Sequence, residues 1–277
     1  MRRRVKLCVP LSDAFRSRQE VLLPLVDAVT FKQPGGEVFP SKELFLESSF
    51  NIADPDFPAK LDTAGILEAL RSGKYVSFAC DIGPNCRTER GYSPNGFPRA
   101  LSVSKAISDE EYLETAARNA EWLRAQFCGY VHAENLNYFP TGAYERVCEP
   151  DFVWQITEVA GIGLLLDLAH TLITAHHLGS KDVFSYLAQL PLDTVREIHI
   201  SHPGFLKGVF EDLHEAPGDT EVSIVKKIIA DGHQVKYLTV EYYGDARILC
   251  DIYRSIARDL NIKPGTSFNN GADHAHI

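Results

Sequence analysis

No apolar run in the sequence approaches the roughly 18 residues that a membrane-spanning helix needs, so no span is expected. The opening Met1-Arg-Arg-Arg is basic, but the VKLCVPLSD that follows is too short for the apolar region of a signal peptide. Cationic charge is scarce: 28 Lys and Arg stand against 37 Asp and Glu, giving a net charge of −9. That balance argues against affinity gained by neutralising phosphates, and no nucleic-acid partner is expected. The six cysteines (Cys8, Cys80, Cys86, Cys128, Cys148, Cys250) include no Cys-x-x-Cys pair, and read as free thiols of a cytoplasmic protein. Internal repeats, low-complexity tracts and an interdomain linker are also lacking. What remains is ordinary globular composition, 45% hydrophobic and 23% charged, over 277 residues. A chain of that length buries roughly three quarters of its unfolded surface and needs no disulfide or metal simply to fold.

Short β-rich runs alternate with longer stretches of helical spacing. The strands are expected at Lys6–Pro10, Ala28–Gln33, Leu44–Ser48, Tyr75–Ile82, Tyr130–Asn135, Gly163–His170, Glu197–Ser201 and Tyr237–Tyr242. Helices are expected after the capping box Ser108-Asp-Glu-Glu111 and at Leu61–Ser72, Pro150–Val159, Lys181–Gln189, Val222–Ala230 and Asp245–Leu260. Gln33–Pro40 and Gly83–Pro98 read as long loops. Eight strands, each followed by a helix or a long loop, predict an α/β protein: a single (β/α)8 TIM barrel over residues 1–264. Residues 265–277 read as a loose tail, which sets aside His274 and His276.

Strand parity sharpens this expectation, since residues two apart share a face. In EIHIS, Ile198 and Ile200 oppose Glu197, His199 and Ser201; in YLTVEYY, Leu238, Val240 and Tyr242 oppose Tyr237, Thr239, Glu241 and Tyr243. Apolar residues toward a helix layer and polar residues toward an interior suit the C-terminal mouth of a barrel. That mouth is where barrel enzymes place their chemistry.

Ionisable residues gather at the ends of the last four predicted strands. HAEN carries Glu134; LLLDLAH carries Asp167 and His170. His199 lies in the next strand, the loop segment DLH follows with Asp212 and His214, and Glu241 comes last. Any one of these taken alone is more often a loop cap or an ion-pair partner, and His132, His176, His177 and His233 read as ordinary histidines. Seven such groups on four consecutive strand ends would repel one another without counter-charge. Mixed His and carboxylate donors suit iron, manganese or zinc.

The order Glu, Asp-x-x-His, His, Asp-x-His, Glu is similar to the trinuclear zinc site of the endonuclease IV barrels. It also resembles the multinuclear non-haem iron oxidases of the methanobactin-biosynthesis type, whose barrel is xylose isomerase-like. GIGLLLDLAHTLITAHHLGSKDVFSYLAQLPLDTVREIHISH, DLHE, YLTVEYY and HAENLNYF favour the second family, so the likeness runs from about Tyr130 to Glu241. The resemblance implies that Glu134, Asp167, His199 and Glu241 hold one iron and that His170, Asp212 and His214 hold a second, bridged by a carboxylate or water. It implies mixed-valent Fe(II)/Fe(III), O2 as co-substrate, and a ribosomally made peptide whose cysteine is modified, often with a leader-binding partner protein.

The family commonly adds histidines from its third and fourth strands, but here those read LFLESSF and YVSFACDIG. Glu47 or Asp81 would have to stand in, or the centre is dinuclear, which is the reading preferred. Tyr138, Tyr242 and Tyr243 are candidates to line a peptide groove. The alternatives are a sugar isomerase or epimerase using Glu134, Asp167, His199 and Glu241 alone, or an endonuclease IV-like hydrolase, which the acidic charge disfavours. A non-catalytic scaffold would leave these charges uncompensated, at high cost.

Overall fold

A computed structural model describes residues 4–93 and 99–262; the expectation for the tail and its histidines lies outside the described residues. Eight strands close into a barrel: β1 (Lys6–Pro10), β2 (Ala28–Phe31), β3 (Glu43–Asn51), β4 (Tyr75–Asp81), β5 (Tyr130–Glu134), β6 (Gly163–Asp167), β7 (Glu197–Ile200) and β8 (Tyr237–Val240). Each is parallel to both neighbours, and β8 returns to pair with β1. Among the described residues no helix is long and apolar enough to cross a membrane, and all six cysteines are free thiols.

Alternation along the strands builds two separate interiors. Outward residues such as Val29, Phe31, Leu164, Leu166, Ile198, Ile200, Leu238 and Val240 join the main core beneath the helices. Inside the barrel, the N-terminal end is plugged by Cys8, Ala28, Phe45 and Tyr237, with Phe45 and Tyr237 edge to face at 4.7 Å. Farther along the strands the interior turns polar. Glu197, His199, Ser201, Thr239 and Glu241 are all buried, as their parity requires. The plug keeps water out from below, so these polar groups can meet only one another, a bound ion, or whatever enters from the mouth.

Several local expectations need correction. Leu61–Ser72 is two short helices, Phe57–Thr63 and Ile66–Arg71, separated at Gly65 with φ +70°. Of the capping box, Ser108 Oγ accepts the Glu111 N–H, but the Glu111 carboxylate pairs with Arg87 instead of folding back. The predicted loop 83–98 contains a strand, Glu89–Tyr92, paired with Arg99–Ser102. The strand expected to run to His170 stops at Asp167. There the Asp167 side chain accepts the His170 N–H at 2.7 Å and starts the helix Leu168–His177, a change that no glycine or proline marks in the sequence.

The largest departure carries function. Asp212 and His214 are not on a loop but on the second strand of a hairpin, His202–Leu206 with Val209–Glu215. His202 faces Glu215 while Gly204 faces Glu211, so two steps on one strand match four on the other and Asp212–His214 bulges out. His214 adopts φ +49°, which few non-glycine residues do. Gly204 makes room for the bulge, because a Cβ there would meet Leu213 Cδ1 at 2.7 Å.

Candidate metal centre

The strand ends bring Glu134, Asp167, His199 and Glu241 together inside the barrel. One ligand atom from each lies within 4.8 Å of all the others, and all four residues are buried. The β5 and β6 ends deliver Glu134 and Asp167, β7 delivers His199, and Glu241 follows β8 with its N–H held by Ile200 O at 3.1 Å. The bulge adds a second set beside the first. Asp212 Oδ2 lies 3.4 Å from His170 Nε2 and 3.3 Å from His214 Nε2. Glu241 Oε2 faces both sets, 3.4 Å from His199 Nδ1 and 3.6 Å from His214 Nε2. A cavity of about 440 Å3 opens above, lined in part by Glu47, Asp81, Glu134, His170, Asp212 and Glu241.

Partners behind the cluster aim its donors. Asn135, directly after Glu134, accepts the Asp167 N–H with its side-chain oxygen at 2.8 Å and donates to Asp167 O at 3.1 Å. Its own carbonyl meets His170 Nδ1 at 2.7 Å, which assigns that nitrogen as N–H and leaves Nε2 to face Asp212. Glu197, one layer deeper, accepts the Thr239 hydroxyl at 2.6 Å and lies 3.4 Å from His199 Nε2. That turns His199 Nδ1 toward Glu134 and Glu241. A histidine ligand backed by a carboxylate is the usual way a metal site fixes its tautomer. Glu197→Gln is therefore expected to weaken metal binding by about 10- to 100-fold, read by competitive titration, with the fold intact.

The electrostatics show what the cluster lacks. Glu134 and Asp167 are raised by burial and by neighbouring carboxylates, and Asp81 is pushed up to about 7 by burial and Glu47. Burial would lower His170 and His199, but the surrounding carboxylates outweigh it and raise both well above the ordinary histidine value; His214 is raised in the same way. Buried Glu47 Oε2, Asp167 Oδ2, Asp212 Oδ1 and both His199 ring nitrogens have no hydrogen-bond partner. Unpaired buried polar atoms of this kind cost about 1–3 kcal/mol each and more when charged, so they need an explanation. Divalent cations at the two sets would satisfy Asp167 Oδ2, Asp212 Oδ1 and His199 Nδ1, and the mixed imidazole and carboxylate donors fit iron, manganese or zinc.

The three tyrosines separate. Tyr243 donates its hydroxyl to Glu241 Oε1 at 2.9 Å and lies over His214, with ring centroids 5.0 Å apart. Tyr138 and Tyr242 pack against the main core, and the Tyr242 oxygen accepts the Asp245 N–H; none of the three is among the residues that line the cavity. Glu47 and Asp81 do line it, Glu47 from within β3 and Asp81 from the end of the adjacent β4. One residue was not foreseen from sequence. Lys32, just past β2, reaches into the cavity and pairs with Glu47 and with Glu241 Oε1 at 2.8 Å. It falls near the end of the expected strand Ala28–Gln33, just ahead of the stretch read as a loop, with no ionisable neighbour in sequence to mark it.

Fold and site together define a TIM barrel whose mouth carries a candidate metal site. The xylose isomerase domain protein of Salmonella typhimurium superposes with a TM-score of 0.59 over 93% of this chain and 96% of its own, at 14% identity. L-ribulose 3-epimerase does so at 0.58 over 93% and 95%, also at 14% identity, a likeness of fold. A family model described as RiPP precursor modification enzyme MbnB/TglH/ChrH matches residues 106–252, more than half of the chain, which belongs to that family. Among curated relatives, a UPF0276 protein of Caulobacter sp. (strain K31) is 31% identical over 109 residues, 38% of this chain and 39% of its own. The Bordetella pertussis UPF0276 protein is 25% identical over 150 residues, 48% and 52%. The chain thus spans about two fifths to a half of the length of the curated relatives it matches.

Proposed function

We propose that this chain is a di-iron, O2-dependent oxidase of the cytoplasm that modifies a side chain, a cysteine in our reading, of a ribosomally synthesised peptide delivered with a leader-binding partner protein. The observation that carries this reading is the joining of two donor sets, with Glu241 Oε2 facing both and five of the seven donor residues lining one cavity. Family membership supports the peptide substrate.

In this reading Glu134, Asp167, His199 and Glu241 hold one ion, and His170, Asp212 and His214 hold the other. When bound, the ions supply Lewis acidity toward a substrate thiolate and, as iron, electrons for the reduction of O2. The chain's own residues prepare that chemistry. Tyr243 and Lys32 both donate to Glu241 Oε1, which leaves Oε2 to face the two donor sets. Asn135 hydrogen-bonds the His170 ring, Glu197 faces His199 Nε2 at 3.4 Å, and the apolar plug seals the floor. Gln33, Ser48 and Ser49 on the cavity wall offer polar contacts to an entering peptide backbone.

The tight four-residue set considered alone would also suit a mononuclear isomerase. The two readings part at the bulge. Iron-loaded enzyme supplied with reductant and a cysteine-bearing precursor is expected to change the peptide's mass only when O2 is present. Asp212→Ala and His214→Ala are each expected to abolish the change. Fully iron-loaded enzyme that turns over no candidate precursor would count against the oxidase. An O2-independent sugar conversion that survives both substitutions would establish the isomerase.

A further inference from the structure

Lysine is out of place at the mouth of a cation site, and its position here is specific. Phe31 is buried in the main core, so alternation turns Thr30 and Lys32 toward the barrel interior. The Lys32 ammonium then sits between carboxylates from separate strands, Glu47 on β3 and Glu241 after β8. It is the one lysine or arginine among the described residues lining the cavity, against five carboxylates there.

The oxygens are partitioned around it. Glu241 Oε1 is occupied by Lys32 and Tyr243, while Oε2 faces the histidines of the two donor sets. Glu47 Oε1 is occupied by Lys32, and its Oε2 is buried without a hydrogen-bond partner. Beyond the seven donors of the two sets, Glu47 and Asp81 are the carboxylates left in the cavity. Any additional ion would need Glu47, and that carboxylate already carries a cation.

We propose that Lys32 is a tethered cation that takes the place of a third metal ion and limits the centre to two. This rests on the metal-centre reading above. The ammonium compensates Glu47 and one oxygen of Glu241 without supplying a coordination position. The Lys32 side chain is itself 45% exposed, but both carboxylates it meets are buried, and like-charge repulsion at contact distance beside them then excludes a divalent ion from the same space.

The test is a metal count that does not depend on iron, O2 or turnover. Chelator-stripped protein is titrated with Co2+ while visible absorbance is followed, and bound metal is measured after gel filtration. Wild type and Lys32→Arg are expected to saturate at two equivalents, and Lys32→Ala at three, the third being the weakest. The metal-free Lys32→Ala protein should also melt below metal-free wild type, and the third equivalent should recover part of that loss. Lys32→Ser carries the same expectation should the alanine variant fail to fold. Three equivalents in the wild type or in Lys32→Arg, or saturation at two in Lys32→Ala and Lys32→Ser, would overturn the proposal while leaving the metal centre standing. Fewer than two equivalents in the wild type would overturn the two-ion reading itself.

Discussion

Asp167→Ala is expected to remove metal from the buried set altogether and, with it, the turnover of any peptide. The residue has two tasks on its two oxygens. Oδ1 accepts the His170 N–H and caps the helix Leu168–His177, while Oδ2 is buried without a partner among the four converging donors. Asparagine separates the tasks, since it caps a helix as well as aspartate but has no anionic oxygen to give. Both variants are expected to lose far more than the ~10- to 100-fold in metal affinity that follows loss of an outer partner. Without metal, Asp167→Ala should unfold at about 1 kcal/mol lower stability than Asp167→Asn, the usual cost of a lost cap. Metal titration and denaturant melts of the two stripped proteins check both parts. Undiminished metal binding by Asp167→Asn would reduce Asp167 to its capping role.

The second large effect is that of the metal on the stability of the whole barrel. A ligand present at 1,000 times its Kd stabilises the native state by about 4 kcal/mol per site. For a domain of this size that is a rise of about 8–16 °C in Tm for one filled site. The shift should grow with pH. His170, His199 and His214 are held above the ordinary histidine value in the metal-free protein, by carboxylates that outweigh the opposing effect of burial. Their ion pairs with those carboxylates stabilise the metal-free fold fully below the unfolded histidine value of 6.5. That contribution is lost as pH rises through the elevated native values. Metal needs the neutral rings, so protons compete with it at low pH. The Tm difference between loaded and chelated protein is therefore expected to be smallest at pH 6 and to widen toward pH 8 and above. Thermal melts across that range decide it, and a difference that shrinks with rising pH would contradict the assignment of these histidines as ligands.

Much of the fold is legible in the sequence, for identifiable reasons. Period-two alternation in EIHIS and YLTVEYY assigns Glu197, His199, Thr239 and Glu241 to the interior before any coordinates are known. Illegible parts share a cause: each depends on contacts distant in sequence. VFEDLHE has the look of a loop because its bulge breaks alternation, and only pairing with His202–Leu206 makes it a strand. The helix after Asp167 is hidden because no glycine or proline marks the change from strand. Lys32 follows a short strand and precedes Gln33-Pro-Gly-Gly; barrel closure, which brings β8 round to β1 and β2, is what places it against Glu241. Tyr242 shares its parity with Leu238 and Val240 and packs against the same main core.

The most direct test of the central claim is the iron content and Mössbauer spectrum of protein made in iron-rich medium and handled without oxygen. Two irons per chain with an exchange-coupled ferrous–ferric signature is the result this account predicts from the two donor sets. Zinc or manganese alone, with no iron taken up after anaerobic reconstitution, would contradict it.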